Sequence, residues 1–538
     1  MVIKNYKYFN IKNFELIFFF KLKMEFRSKN KTFNLEDFNK KNENIHLSLR
    51  KNKLESFINS KRICEINNFK YEINPQNVFI DNSLKFNINE LFKNFDINLL
   101  KNYFFSDNIN LNKYALYIFR KYLSNGQINL DNFFDNFPNE IFNKIFSYVS
   151  YINHKDICFE TSWILINVSY YNSNFFDNKN IQNELLIFLK NFKSNDLILI
   201  NILEIIRNIS NDLKLEFLIE KGIFQIFYEI FENFRLNDTI TKNILTCIYN
   251  MCKIEFYNKF SNEYLNLIEI LKFFLNVNNN NNILRYSLYV LFNLSKNSNK
   301  IIDEMIKFQI PQKLMNLYNF LENEKFNLRL FIIKIFGNFF ANDDITIKIL
   351  IEMNVIDFLN ECLKTTDLIL LKNIIFCFSN IALGTFGLIN EIFNKNSIYL
   401  ILQLGIWIFE EINKKNNNNK NFVDVYREIC YVIANCINGS ISSKLNNMLN
   451  YKNHTAIFLL INSLEILKEN ENFIYCALNA INKLSVIEKF DNLDSESYLI
   501  EMENFGLKEK LENLTLSNNI NIANNSEIIY DNFFNNNL

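Results

Sequence analysis

The sequence is poor in the residues that punctuate chains, with 8 glycines and 3 prolines in 538 residues. All-β and α/β architectures need both at turns and phosphate loops, so this scarcity argues against them and predicts helices. The three histidines, His46, His154 and His454, are far apart and have no nucleophile or metal-ligand motif nearby. With no glycine-rich phosphate loop either, the chain offers little to catalysis, and no enzyme, metal or cofactor is expected. Positive and negative side chains balance at 58 each, which argues against the broad basic surface of a non-specific nucleic-acid binder. The longest early apolar run, "FELIFFF" at 14–20, is too short to span a bilayer and lacks a small-residue cleavage site. No membrane partner is expected. The nine cysteines contain no C-x-x-C pair, the usage of a reduced intracellular protein.

What is present is apolar and aromatic: 49% hydrophobic residues, 57 of them phenylalanine, against only 2 tryptophans. That is ample for a large core and too long for one compact domain. Asparagine runs such as 278–282 and 416–419 read as expanded surface loops. Residues 1–23 precede Met24 and read as an upstream extension or a mispredicted start.

One tryptophan stands in "FETSWILINVS", four residues before Asn167. On a helix that spacing puts Trp163 and Asn167 on one face, an indole beside a carboxamide. The phrase recurs. "EIIRNIS" carries Asn208, "TCIYNMC" Asn250, "YVLFNLS" Asn293, "KIFGNFF" Asn338, "FCFSNIA" Asn380 and "YVIANCI" Asn435, at intervals of 41, 42, 43, 45, 42 and 55. The last interval is stretched by the loop at 412–421. A period near 42 falls within the about 40–47 residues of armadillo and HEAT repeats. After each asparagine helix come a polar turn, a short apolar helix and a longer one, as in 208–233 with Gly222 at a turn. Such units bury their apolar faces only by stacking, so the predicted fold is an all-α armadillo-repeat solenoid, a right-handed superhelix, with repeats over 108–515 and the C-terminal end of the last repeat and a tail over 516–538.

These stretches resemble importin-α, the armadillo adaptor that binds nuclear localisation signals, over nearly everything from Met24 onward. "ALYIFRKYLSNG" is similar to its first repeat, "FETSWILINVS" to its second, "FGNFFANDDITIKILIE" to its sixth and "YREICYVIANCINGS" to its eighth. The most specific match is "FRSKNKTFNLEDFNKKNENIHLSLRKNKLESFINSKRI" at 26–63, which resembles the family's importin-β-binding segment. Within the segment 24–63, Lys40, Lys41, Arg50, Lys51, Lys53, Lys61 and Arg62 supply positive charge beside apolar Ile45, Leu47, Leu49, Leu54, Phe57 and Ile58. By itself such a basic amphipathic helix suits a membrane, calmodulin or an acidic groove. The family often has a longer arginine cluster where this chain reads Asn39-Lys40-Lys41-Asn42. Residues 64–107 read as a linker.

An extended peptide presents one N–H and one C=O per residue, and a carboxamide can meet both. A column of asparagines, one per repeat, can therefore hold a strand of any sequence. It can also simply stitch neighbouring repeats together. The resemblance implies a major signal site at Trp163, Asn167, Asn208, Asp212 and Asn250. It implies a minor site at Asn293, Lys334, Asn338, Asp344, Phe376, Asn380, Glu428, Tyr431 and Asn435. Aromatic walls would pack lysine stems and rim carboxylates would receive the ammonium. The position four before each asparagine holds Trp163, Glu204, Thr246, Tyr289, Lys334, Phe376 and Tyr431. Two of the three tryptophans usual at the major site are thus missing, and the later repeats are expected to contribute at least as much. The resemblance implies importin-β, basic cargo proteins, an export factor at the C-terminal repeats and, through importin-β, the nuclear pore as partners, with shuttling between cytoplasm and nucleus. A general armadillo scaffold without a transport role is the alternative.

Overall fold

The computed structural model describes residues 97–535, apart from 124–132, 135–136, 213–214, 235–236, 253–260, 277–280, 297–298, 322–325, 415–419, 441–442 and 488–494. The basic segment 24–63, with Lys40, Lys41, Arg50, Lys51, Lys53, Lys61 and Arg62, lies outside the described residues, as does most of the linker. Among the described residues there are helices and turns and no strand, as the scarcity of glycine and proline predicts.

The chain divides into two compact units at Met305. Each is a run of stacked helical repeats, so the fold is an all-α solenoid. Most repeats end in a long helix, labelled here in chain order: α1 (Lys155–Tyr171), α2 (Asp196–Asp212), α3 (Asp238–Met251), α4 (Asn281–Ser295), α5 (Phe326–Phe340), α6 (Leu368–Ala382), α7 (Lys420–Gly439) and α8 (Glu471–Ile487). In the first unit Ile109–Leu123 packs on α1, then α1 on α2, α2 on α3 and α3 on α4; in the second, α5 packs on α6, α6 on α7 and α7 on α8. The shorter helices cover the other side of each long one, and the core between them is leucine, isoleucine and phenylalanine with almost no water contact. This is the stacking that single amphipathic units require, since none can bury its apolar faces alone.

Asparagine and aspartate do the work that scarce glycine and proline leave undone. Asn178, Asn237, Asp343, Asp367 and Asn519 each accept a first-turn N–H at a helix start. The turn into a repeat's second helix needs a left-handed residue, and Gly222 and Gly506 supply it in two places. Gln309, Asn354, Asn396 and His454 hold the same conformation at the corresponding turns. The carboxamide of asparagine makes that region tolerable, whereas glutamine and histidine bear more of the steric cost.

In the first unit Arg120 and Glu160 form an ion pair between Ile109–Leu123 and α1. Both are buried, at 5% and 0% exposure.

Candidate functional site

The asparagine column lies along the long helices and forms a ladder. Asn208 on α2 donates from Nδ2 to the Ile166 carbonyl at 3.4 Å and to Ser169 Oγ at 3.1 Å, both on α1. Asn250 on α3 repeats the pattern, reaching the Arg207 carbonyl at 3.4 Å and Ser210 Oγ at 3.0 Å. In the second unit Asn380 reaches the Gly337 carbonyl at 3.2 Å and Asn435 the Ser379 carbonyl at 3.4 Å. Each asparagine thus seeks the carbonyl just before the previous column asparagine. That oxygen has a second lone pair beyond its intrahelical bond. Asn167 turns back to the Trp163 carbonyl of its own helix at 3.1 Å.

At Asn208, Asn250, Asn380 and Asn435 the ladder fixes the carboxamide and commits its donor side to the preceding repeat. What remains is the acceptor. Asn208 and Asn250 keep Oδ1 without a described partner, and Asn380 Oδ1 is buried and unpartnered. Asn435 Oδ1 accepts from Cys476 Sγ at 3.4 Å. Asn293 meets Lys296, whose Nζ lies 3.4 Å from Oδ1 and 3.7 Å from the Phe292 ring centroid. Asn338 stands half-buried on α5.

The positions four residues earlier differ along the chain. Trp163 is half-buried, while Glu204 and Thr246 are buried. Tyr289 meets the Tyr249 ring at 5.8 Å and carries the Arg285 guanidinium 5.4 Å above its centroid. Phe376 packs against the bare backbone of Gly337, its ring carbons 3.4 Å and 3.5 Å from where a Cβ would stand. Tyr431 meets Phe473 edge to face at 5.1 Å. Lys334 is half-buried, and burial followed by the nearby Lys372 ammonium brings its pKa down to about 8.

The acidic residues depart from the expectation of open rim carboxylates. Glu428 is 7% exposed and its Oε1 lies 3.1 Å from Arg427 Nη2. Arg427 Nη1 also holds Asp424 at 3.0 Å, and Asp424 holds Lys372 at 2.8 Å. Burial pushes the Glu428 carboxyl up despite the Arg427 charge. Asp344 accepts the backbone N–H of Thr385 at 3.2 Å, steadying the start of the helix Phe386–Asn394. Asp212 ends α2, and its side chain lies outside the described set. At Glu428 the physical reason for the departure is burial, where an unpaired charge is costly.

The residues immediately before the column asparagines had not been singled out from sequence. They are large in the first unit, Ile166, Arg207, Tyr249 and Phe292, and small in the second, Gly337, Ser379 and Ala434. Two of them reach the next repeat: Arg207 Nη1 donates to Asn243 Oδ1 at 3.0 Å, and the Tyr249 ring meets that of Tyr289. The signal was this change of size at a fixed place in the repeat. Among the described residues no cluster of histidine, cysteine, aspartate or glutamate could hold a metal ion, and no single helix is long and apolar enough to cross a membrane.

No protein-family model matches the chain, and no curated protein does. Among solved structures, an engineered protein from the Northeast Structural Genomics Consortium aligns over 81% of this chain and 98% of its own, at 13% identity and TM-score 0.59. A designed armadillo repeat protein aligns over 49% of this chain and 99% of its own, at 19% identity and TM-score 0.40. Another, in complex with the peptide (KR)4, gives 49%, 99%, 18% and 0.40 in the same order. At these identities the likeness concerns the fold alone, an all-α helical-repeat solenoid, and the two at 0.40 carry no argument.

Proposed function

We propose that this chain is an importin-α-like adaptor. Its asparagine column holds an extended, basic nuclear localisation signal of a cargo protein, and residues 24–63 join it to importin-β and so to the nuclear pore. It would shuttle between cytoplasm and nucleus, with an export factor taking it back through the C-terminal repeats.

The observation that carries this reading is the ladder. Its asparagines are oriented by one repeat, and Asn208 and Asn250 keep an acceptor for something else. A peptide N–H is the natural donor to such a row, because successive units of an extended strand rise about 3.3 Å and packed helices lie about 8–10 Å apart. In the second unit, a lysine stem would pack on Phe376 or Tyr431, and its ammonium would share Glu428 with Arg427. An added positive charge favours the ionised carboxyl that burial disfavours.

A second reading, an armadillo scaffold without a transport role, is favoured by the engagement of Glu428 and Asp344 within the chain. Capture of importin-β by the full chain separates the two. The full chain should retain importin-β, whereas deletion of 24–63, or the pair Arg50→Glu and Lys51→Glu, should abolish or sharply weaken capture. Undiminished capture by all three proteins would overturn the adaptor reading.

A further inference from the structure

The basic side chains of α2, α3 and α4 in the first unit differ in their partners from those of α6 and α7 in the second. In the second, Lys372 and Arg427 are paired with Asp424 and Glu428. In the first, Arg207, Lys242 and Arg285 lie on α2, α3 and α4, helices that carry column asparagines, and the described side-chain partners of Arg207 and Arg285 are neutral. Arg207 Nη1 rests on the Asn243 carboxamide and Arg285 Nε on the Tyr289 hydroxyl at 3.1 Å. Lys242 and Arg285 are exposed, and Arg207 is half-buried. Glu204, one turn before Arg207, is 2% exposed, as is Asn243.

Asn243 adds an independent sign. Accepting from Arg207 fixes its orientation, and its Nδ2 is left buried with no partner, a donor with nothing to give to. A buried, unpaired donor is unfavourable unless an acceptor completes it. Donors on Arg207 and Asn243 beside acceptors on Asn208 and Asn250 match one ligand chemistry: a peptide backbone that gives N–H groups and carries a carboxylate.

We propose that the first unit binds an acidic stretch of an extended partner peptide, with a carboxylate on Arg207 and further acidic residues toward Lys242 and Arg285. This rests on the reading that the asparagine column holds a peptide, but not on basic cargo or importin-β. An oligonucleotide fits less well, since its backbone offers no donors to Oδ1 of Asn208 and Asn250.

The test is fluorescence anisotropy on the full chain with labelled (Glu-Ser)5, (Lys-Ser)5 and ten-nucleotide oligo-dT. (Glu-Ser)5 should bind, more weakly as salt rises. Arg207→Glu should weaken it about tenfold or more and the exposed Lys242→Glu about threefold, while neither weakens (Lys-Ser)5. Absence of (Glu-Ser)5 binding, indifference to both variants, or tighter binding of oligo-dT would overturn the proposal. Should Arg207→Glu fail to fold by circular dichroism, Lys242→Glu with Arg285→Glu decides by the same criterion. Loss of (Lys-Ser)5 binding alone would count against basic cargo and leave this proposal standing.

Discussion

Asn250 Nδ2 lies 3.0 Å from Ser210 Oγ, and Ser210 Oγ in turn donates to the Arg207 carbonyl at 2.9 Å, which Asn250 also reaches. A side chain of one repeat thus closes a three-membered polar cluster on the helix of the repeat before. Asn250→Ala should remove two bonds and leave Ser210 and the carbonyl less satisfied, costing about 1–3 kcal/mol. Because repeat solenoids unfold by neighbouring interfaces, the loss should be largest in hydrogen exchange of α2 and α3. Unchanged protection of both helices would mean the ladder adds nothing to stacking.

The left-handed turn at Gln309 offers the opposite sign. Its φ of 58° is one that a glutamine side chain disfavours, where Gly222 at 79° and Gly506 at 77° take the same turn without a Cβ. Gln309→Gly should therefore stabilise the second unit by about 0.5–1 kcal/mol, read as a raised midpoint in urea. A lowered midpoint would show that the glutamine side chain contributes more than its backbone strain removes.

The buried pair Arg120 and Glu160 should be costly to break and cheap to replace. Arg120→Met alone leaves the Glu160 carboxylate buried without its main counter-charge, an expected loss of about 3–5 kcal/mol. Adding Glu160→Leu should recover most of it. Chemical denaturation of the single and double variants gives the comparison, and a double variant no better than the single would refute it.

Lys334 makes stability depend on pH in a defined direction. Its pKa is lowered from 10.5 to about 8, mainly by burial. Below about 8 both folded and unfolded chains hold the proton, and the folded state bears the full cost of the buried charge. Between 8 and 10.5 the folded chain releases it while the unfolded chain keeps it, so the cost fades as pH rises. Lys334→Met should melt higher than the parent at pH 7, with the gap closing toward pH 10.5. A gap constant across that range would exclude this cause.

The sequence by itself determined the class and period of the fold. Few glycines and prolines left helices as the available structure, and the asparagine recurring every 41 to 45 residues marked one position on the last helix of six repeats, with a longer step to the seventh. Those are properties of local spacing, and spacing is what a chain writes linearly. Only tertiary packing decided which partner each polar group took. It gave the donor side of Asn208, Asn250, Asn380 and Asn435 to the preceding repeat, brought Lys372 to Asp424, and used Asp344 to steady Thr385. Arg207 looked like one more basic residue until α3 brought Asn243 to 3.0 Å. The reason is physical: a residue's repeat position follows from its own helix, whereas its hydrogen-bond partner comes from a helix some 40 residues away, and burial forces every such group to be satisfied or charged at a cost.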